Sequence, residues 1–169
     1  MEAWPLQDEN SMNAFYGNPD PQKDGRPDLK WEAANIVRIV PPFPMFLAWN
    51  PTTPLKTIAI HKRCSLSLLR ALVGLSKAMP PSDLEKHHLN RYGGAYHFRA
   101  MRGHDRLSIH SWGAAIDIAP DLNPLGREYA SAPRMMPMPA IKAFEAEGWL
   151  CGYLWNRADA QHFQAARVS

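Results

Sequence analysis

Only two cysteines, Cys64 and Cys151, occur in the 169 residues, and they stand far apart, outside any Cys-x-x-Cys spacing. That excludes a disulfide framework and a thiolate zinc knuckle. Both thiols are expected to be reduced and buried, Cys151 within a strand running from Trp149 to Trp155. Long apolar runs are missing as well, so no segment reads as inserting into a membrane. The first residues carry Glu2 and Asp8 with no apolar stretch behind them, which is not the pattern of a secretory signal. The two signs of charge nearly balance: a formal net charge of +3 and an isoelectric point near 9.0 mark a mild excess spread along the chain, not a basic tail. With no RNP, helix-turn-helix or zinc-finger pattern beside it, that excess argues against a nucleic-acid partner. The chain also lacks a His-Glu-x-x-His helix, which excludes the commonest lineage of zinc hydrolases.

What the sequence does contain is concentrated in two places. The first is Leu107-Ser108-Ile109-His110-Ser111-Trp112-Gly113-Ala114-Ala115-Ile116-Asp117-Ile118, the second Asp159-Ala160-Gln161-His162-Phe163. Ala114 to Ile118 is apolar apart from its acid and reads as a buried strand. An ionised carboxylate in such a strand is costly without a partner, so either a cation meets Asp117 or its pKa rises. A catalytic zinc keeps roughly three protein ligands and one open position, and His110, Asp117 and His162 make such a set. Gly113 gives the chain between the first two the freedom to fold back, although spacing alone permits this geometry without requiring it. Asp159, three residues before His162, is close enough to face the same cavity from a turn or a short helical segment. As an acid that is not a ligand, it is read as the general base and acid. Lone histidines are usually structural or exposed, and His61, His87, His88 and His97 are read that way.

Arg99 is the candidate substrate anchor, because a planar guanidinium holds a carboxylate with two hydrogen bonds. The competing reading is a surface arginine paired with Asp105 or Glu85, and Arg102 is a rival for the role. Ser108 is a candidate for contacting substrate, for orienting a metal ligand, or for capping the local turn. His104 is left outside the site.

Along the chain, residues 1 to about 30 are polar and rich in Pro, Asn and Asp, so they are expected to be loop-like with an aromatic anchor or two. Strands are expected over Ala34 to Val40 and Thr57 to Ile60, separated by a proline-broken stretch from Pro41 to Pro54, and again over Ala95 to Arg99, Ala114 to Ile118 and Trp149 to Trp155. Leu66, Leu69, Leu72, Val73 and Leu75 recur at helical spacing between Ser65, a plausible N-cap, and Ala78, with Pro80-Pro81 beyond. Pro139 and Gly148 bracket a second helix in the order of an N1 proline and a C′ glycine. Met135, Met136 and Met138 are candidates either for the wall of a cleft or for loop packing. The expected class is α+β, a small, mainly antiparallel sheet with flanking helices, in one domain.

At the two clusters the chain resembles the M15 family of zinc peptidases, which includes D-alanyl-D-alanine carboxypeptidases and phage peptidoglycan endopeptidases. The family pattern Ser-x-His-x-x-Gly-x-Ala-x-Asp stands here as Ser108 to Asp117, and its later Asp/Glu-x-x-His as Asp159 to His162. Tyr92-Gly93-Gly94-Ala95-Tyr96-His97-Phe98-Arg99, with Met101-Arg102-Gly103, resembles the family's substrate-side strand, and Ala14-Phe15-Tyr16-Gly17-Asn18-Pro19 is similar to the opening of phage-encoded members. The resemblance implies a hedgehog/DD-peptidase-like fold, zinc (Zn2+) on His110, Asp117 and His162, a catalytic Asp159, and Arg99 near the substrate or the developing oxyanion. His104 stands where relatives tend to carry a small residue. On this reading the partner is the stem peptide of bacterial peptidoglycan, the expected oligomeric state is a monomer, and all 169 residues form one peptidase domain with no separate wall-binding module. The implied function is that of a phage or prophage endolysin, made in the cytoplasm and released to the wall by a holin. The alternatives are a D,D-carboxypeptidase and a catalytically silent, zinc-stabilised binding module.

Overall fold

Two aspartates decide how the chain begins. In the computed structural model, which describes residues 3–101, 103 and 105–168, helix α1 (Glu9–Tyr16) starts where the Asp8 carboxylate accepts the Ser11 N–H at 2.9 Å. Helix α2 (Leu29–Asn35) starts the same way, Asp28 accepting the Trp31 N–H at 2.7 Å. The loop expected over these thirty residues is therefore interrupted: residues 17–28 are irregular, but Glu9–Tyr16 is helical, and the Asp content that suggests loop also supplies N-caps that satisfy orphan donors of short helices. The aromatic anchors are present. Trp4 and Tyr16 are buried, and the Tyr16 hydroxyl donates to the Ala165 carbonyl at 2.6 Å.

Strand β1 (Ile36–Ile39) follows α2 directly, two residues later than the sequence indicates. The stretch 41–54 is more than a break. It holds a hairpin of β2 (Phe46–Leu47) and β3 (Asn50–Pro54), and β3 tolerates its prolines because it is an edge strand. Strand β4 (Ile58–His61) pairs antiparallel with β1 from Ile39↔Ile58 to Ile36↔His61, then passes into helix α3 (Lys62–Ala78). The N-cap of α3 is His61, whose Nδ1 accepts the Arg63 N–H at 3.1 Å. Ser65 lies a turn inside, its hydroxyl returned to the Lys62 carbonyl. The buried stripe of α3 is Cys64, Leu68, Ala71, Leu72 and Leu75, while Leu66 faces outward.

Helix α4 (Pro81–Lys86) has Pro81 in its first turn. Strand β5 (Arg91–Gly94) lies upstream of the strand expected from Ala95 to Arg99. Gly94, at φ 143, ends it, and the chain beyond turns so that the His97 N–H meets the carbonyl of His110 instead of a strand neighbour. Strand β6 (Ala115–Ile118), helix α5 (Met138–Glu145), strand β7 (Leu150–Gly152) and strand β8 (Asp159–Gln164) complete the chain. In α5, Pro137 is the N-cap and Pro139 stands one residue past N1, while Gly148, at φ 76, lies beyond the C-terminus.

The larger sheet has the order β3-β2-β5-β6-β8-β7, antiparallel except between β2 and β5; β1 and β4 form a second, two-stranded sheet. This is an α+β fold. Alternation along β8 sends Phe163 into the core, where its ring stacks on Phe144 of α5 at 4.0 Å. His162 and Gln164 therefore lie on the other face. Met135 and Met136 are buried in the core while Met138 is half exposed, so the methionine-bearing loop is packed; Asn123 fastens it by accepting the Met136 N–H at 2.7 Å. Both cysteines are free and buried, Cys151 on β7. Among the described residues, no helix is long and apolar enough to cross a membrane.

Candidate metal centre

Gly113 makes the first half of the site. Residues Ile109–Trp112 form a 3-10 turn that closes at Gly113 in the left-handed region, φ 63, where its N–H returns to the His110 carbonyl. A β-carbon there would sit 2.8 Å from the His61 backbone nitrogen and 2.8 Å from the Ile36 Cδ1, so only glycine fits both the torsion and the space. The turn folds His110 back over β6. The second half is set by sheet register: Asp117 of β6 and His162 of β8 are paired directly across the ladder, so their side chains leave the same face.

The structure brings His110, Asp117 and His162 together. His162 Nδ1 lies 3.0 Å from Asp117 Oδ1 and 3.2 Å from His110 Nε2, and His110 Nε2 lies 3.4 Å from Asp117 Oδ1. The opposite ring nitrogens are both spoken for. His110 Nδ1–H donates to the Ala95 carbonyl at 2.6 Å, and His162 Nε2–H donates to Gln164 Oε1 at 3.1 Å. In neutral rings this leaves lone pairs on both nitrogens that face Asp117. Three lone-pair atoms pressed together repel unless a cation or an added proton stands among them. Ligands about 2.0–2.1 Å from a tetrahedral zinc are roughly 3.3 Å from one another, so the spacing fits such an ion. The carbonyl and the amide behind the histidines are partners of the kind that fix the tautomer of an imidazole in a metal site.

The electrostatics of the metal-free cluster agree. Burial alone would raise the Asp117 pKa, but hydrogen bonds and charge from His110 and His162 hold it well below the usual carboxylate range. For His162, burial pulls down, and the hydrogen bond and charge of Asp117, then Asp159 and Gln164, outweigh it and raise the pKa.

Asp159 and His162 sit on a strand, not on the turn or helical segment that their spacing suggests. The pairing of β7 with β8 is irregular between Cys151 and Gly152, where Gly152 opposes Asp159 while Cys151 opposes Phe163. This bulge breaks the alternation that would otherwise put residues three apart on opposite faces. Burial raises the Asp159 pKa and the Asp117 charge adds to it, against weaker opposing pulls from His162, Gln161 and His110. Its Oδ1 is buried without a hydrogen-bond partner. A half-buried carboxyl with one enclosed, partnerless oxygen and raised proton affinity, near a cluster of three ligand-type side chains, is suited to moving protons.

A family model described as D-alanyl-D-alanine carboxypeptidase, of the M15 peptidases, matches residues 102–165. That segment is an M15-family peptidase sequence. Ser108, His110, Asp117, Asp159 and His162 all fall inside it, while Tyr92 to Arg99 and the opening Ala14 to Pro19 fall outside. No curated protein and no solved structure gives a significant match. M15 peptidases are metallopeptidases, in keeping with the His-Asp-His cluster.

Around the M15 segment the other expected residues divide. The guanidinium of Arg99 makes one weak contact among the described residues, to the Ala100 carbonyl at 3.4 Å. Glu85 pairs with Arg91 instead, at 2.6 Å. Arg99 lines a cavity of about 390 Å³ with Glu9, Asp20, Lys23, Phe98 and Asp105, and none of the three clustered residues borders it. Ser108 is buried and begins the 3-10 turn, but its side chain does not cap it; its carbonyl accepts the Ser111 N–H at 2.8 Å. Arg102 and His104 lie outside the described residues. His61 is buried and His97 exposed, as expected of structural and surface histidines.

Four contributors are not legible as candidates in the motifs. Gln164 and the Ala95 carbonyl orient the histidines, Ser111 Oγ bonds both the N–H and the carbonyl of Arg99 at 3.0 and 2.8 Å, and the Trp155 ring packs 5.6 Å from that of His162. Only Gln164 had a usable signal: two residues past His162, it shares that ligand's face of a strand.

Proposed function

We propose that the chain is a zinc-dependent peptidase of bacterial cell-wall stem peptides, cutting within the peptide as a phage or prophage endolysin does. The observation that carries this is the trio of ligand-type atoms 3.0 to 3.4 Å apart with the partnerless Oδ1 of Asp159 nearby. Zinc held by His110, Asp117 and His162 would supply Lewis-acid activation of a water and of the scissile carbonyl. Asp159 accepts the proton of the attacking water through its free oxygen and returns it to the leaving amine, a step that its raised pKa favours. Arg99 holds a carboxylate of the stem peptide. Its cavity is bordered by none of the three ligands, which supports recognition of a carboxylate away from the scissile bond, and hence internal cleavage. Ser108 supports the turn that carries His110, and the mild positive charge favours encounter with anionic walls.

A second reading, a D,D-carboxypeptidase, is favoured by the description of the matching family. Intact sacculi and purified muropeptides, incubated with the zinc-loaded protein and weighed by mass spectrometry, separate the two. New amino termini and falling turbidity are expected. Release of D-alanine alone, with sacculi intact, would establish the carboxypeptidase, and no product from a zinc-bound protein would leave a silent binding module.

A further inference from the structure

The amide of Gln164 does two things at once. Its Oε1 accepts the Nε2–H of His162, and its Nε2 donates to the Ala166 carbonyl at 3.2 Å and to Gln7 Oε1 at 3.1 Å. Gln164 is 1% exposed, so neither of its hydrogens has water as an alternative partner. Gln7 comes from the opposite end of the chain. Residues Trp4 to Gln7 run as a strap alongside Arg167: the Gln7 N–H donates to the Arg167 carbonyl at 2.9 Å, the Arg167 N–H to the Pro5 carbonyl at 2.8 Å, and the Arg167 Nε to the Trp4 carbonyl at 2.7 Å. Trp4 is buried beneath, and its indole nitrogen donates to the Glu147 carbonyl at 3.3 Å. The strap thus presents the oxygen of Gln7 to Gln164 from a fixed backbone, outside the span that matches the M15 family.

From this chain of contacts we infer that Gln7 is a positioning residue of the metal centre: through Gln164 it holds His162 in the tautomer that keeps Nδ1 free for the ion. The inference rests on the ligand set of the proposed function. If the second hydrogen of Gln164 loses its acceptor, the amide loses one of the two bonds that point its oxygen at His162. The ring then gains freedom to carry its proton on Nδ1, where it blocks the metal. Outer partners of this kind are worth about 10- to 100-fold in metal affinity, and Gln7, one step further out, falls at the lower end.

The test compares Gln7→Met, which keeps the side-chain length and removes the acceptor, with Gln7→Glu, which keeps an acceptor. Zinc affinity is measured by competition with a chromophoric chelator, with the thermal midpoint of the metal-free protein as the folding control. The ¹⁵N and ¹H shifts of the His162 Nε2–H group, with and without zinc, report its bond to Gln164. Gln7→Met should bind zinc about 10-fold more weakly, with a shifted His162 Nε2–H signal and the metal-free midpoint of Gln7→Glu. Gln7→Glu should restore parental affinity and the parental Nε2–H signal. Parental zinc affinity in Gln7→Met, or an equal loss in both variants, would overturn the inference. None of these readouts needs peptidoglycan, so a protein that cuts no cell wall leaves the inference standing. If the parent binds no zinc, the proposed function falls, and the ring shifts alone decide the inference: an unchanged Nε2–H signature in Gln7→Met rejects it.

Discussion

His61 holds the N-terminal helix to the core with an imidazole that must stay neutral. It is 1% exposed; its Nε2–H donates to the Tyr16 carbonyl at 3.0 Å while its Nδ1 accepts the Arg63 N–H at the start of α3. A second proton on the ring would remove that acceptor and bury a charge. Burial, the dominant cause, pulls the pKa from 6.5 to about 4, against the Tyr16 hydrogen bond and with help from the Lys62 and Arg63 charges. Above pH 6.5 both folded and unfolded chains hold a neutral ring and nothing is lost. Between 6.5 and 4 only the unfolded chain takes up the proton, so stability falls as pH falls. Below 4 the whole penalty applies. The displacement corresponds to about 3 kcal/mol, nearly all of it present at pH 4. His61→Asn retains a capping oxygen for α3 and cannot titrate. Urea unfolding of parent and variant, both metal-free, at pH 7 and pH 4 cancels the titration of every other group. The stability gap between them should move by about 3 kcal/mol against the parent on acidification. A gap that moves by less than about 1 kcal/mol, or a His61 resonance that titrates near the ordinary histidine value, would refute the reasoning.

Gly113→Ala should cost about 3 kcal/mol in urea unfolding, since a left-handed alanine and overpacking against the His61 backbone add together; it should weaken zinc binding as well. One zinc per chain is expected by elemental analysis, lost in His110→Ala and in His162→Ala and kept in His97→Ala. Asp159→Ala should retain zinc and fold while turnover drops about 100-fold or more; equal loss of zinc would make Asp159 a ligand. Because the Asp159 pKa is raised, kcat/KM should fall on acidification at a pH above the usual carboxylate range, with that limb absent in the variant. Arg99→Ala should keep zinc and lose turnover of peptide substrates.

The core helices and the metal trio were the legible part of this chain, for a common reason. α3 and α5 carry apolar spacing, caps and prolines that act locally, and His110, Asp117 and His162 are residue types whose burial demands a partner. The N-terminal helices were hidden because Asp8 and Asp28 do the work of caps in a composition that otherwise reads as loop. β5 was hidden by its own glycines. Gly93 signals a turn to a local reading, yet it is bare because a β-carbon there would come within 3.0 Å of that of Asp117, a neighbour 24 positions away. The placement of Asp159 depended on a bulge in β8 that exists only against β7, and Arg99 turned out to belong to a cavity completed by Glu9, Asp20 and Lys23. Each of these is decided by contacts between distant segments, which spacing cannot report.

Asp117 and His162 face each other on one rung of the β6–β8 ladder, and Phe163, the next residue, points into the core. A slip of β8 by one position would put the phenyl ring where the imidazole belongs and drive the imidazole into the core. No partial version of the trio survives such an error. With the ligand set proposed above, metal uptake would double as a readout of strand registration: a molecule that had closed its sheet out of step would present no such trio, and its share of the chains would register as missing ion.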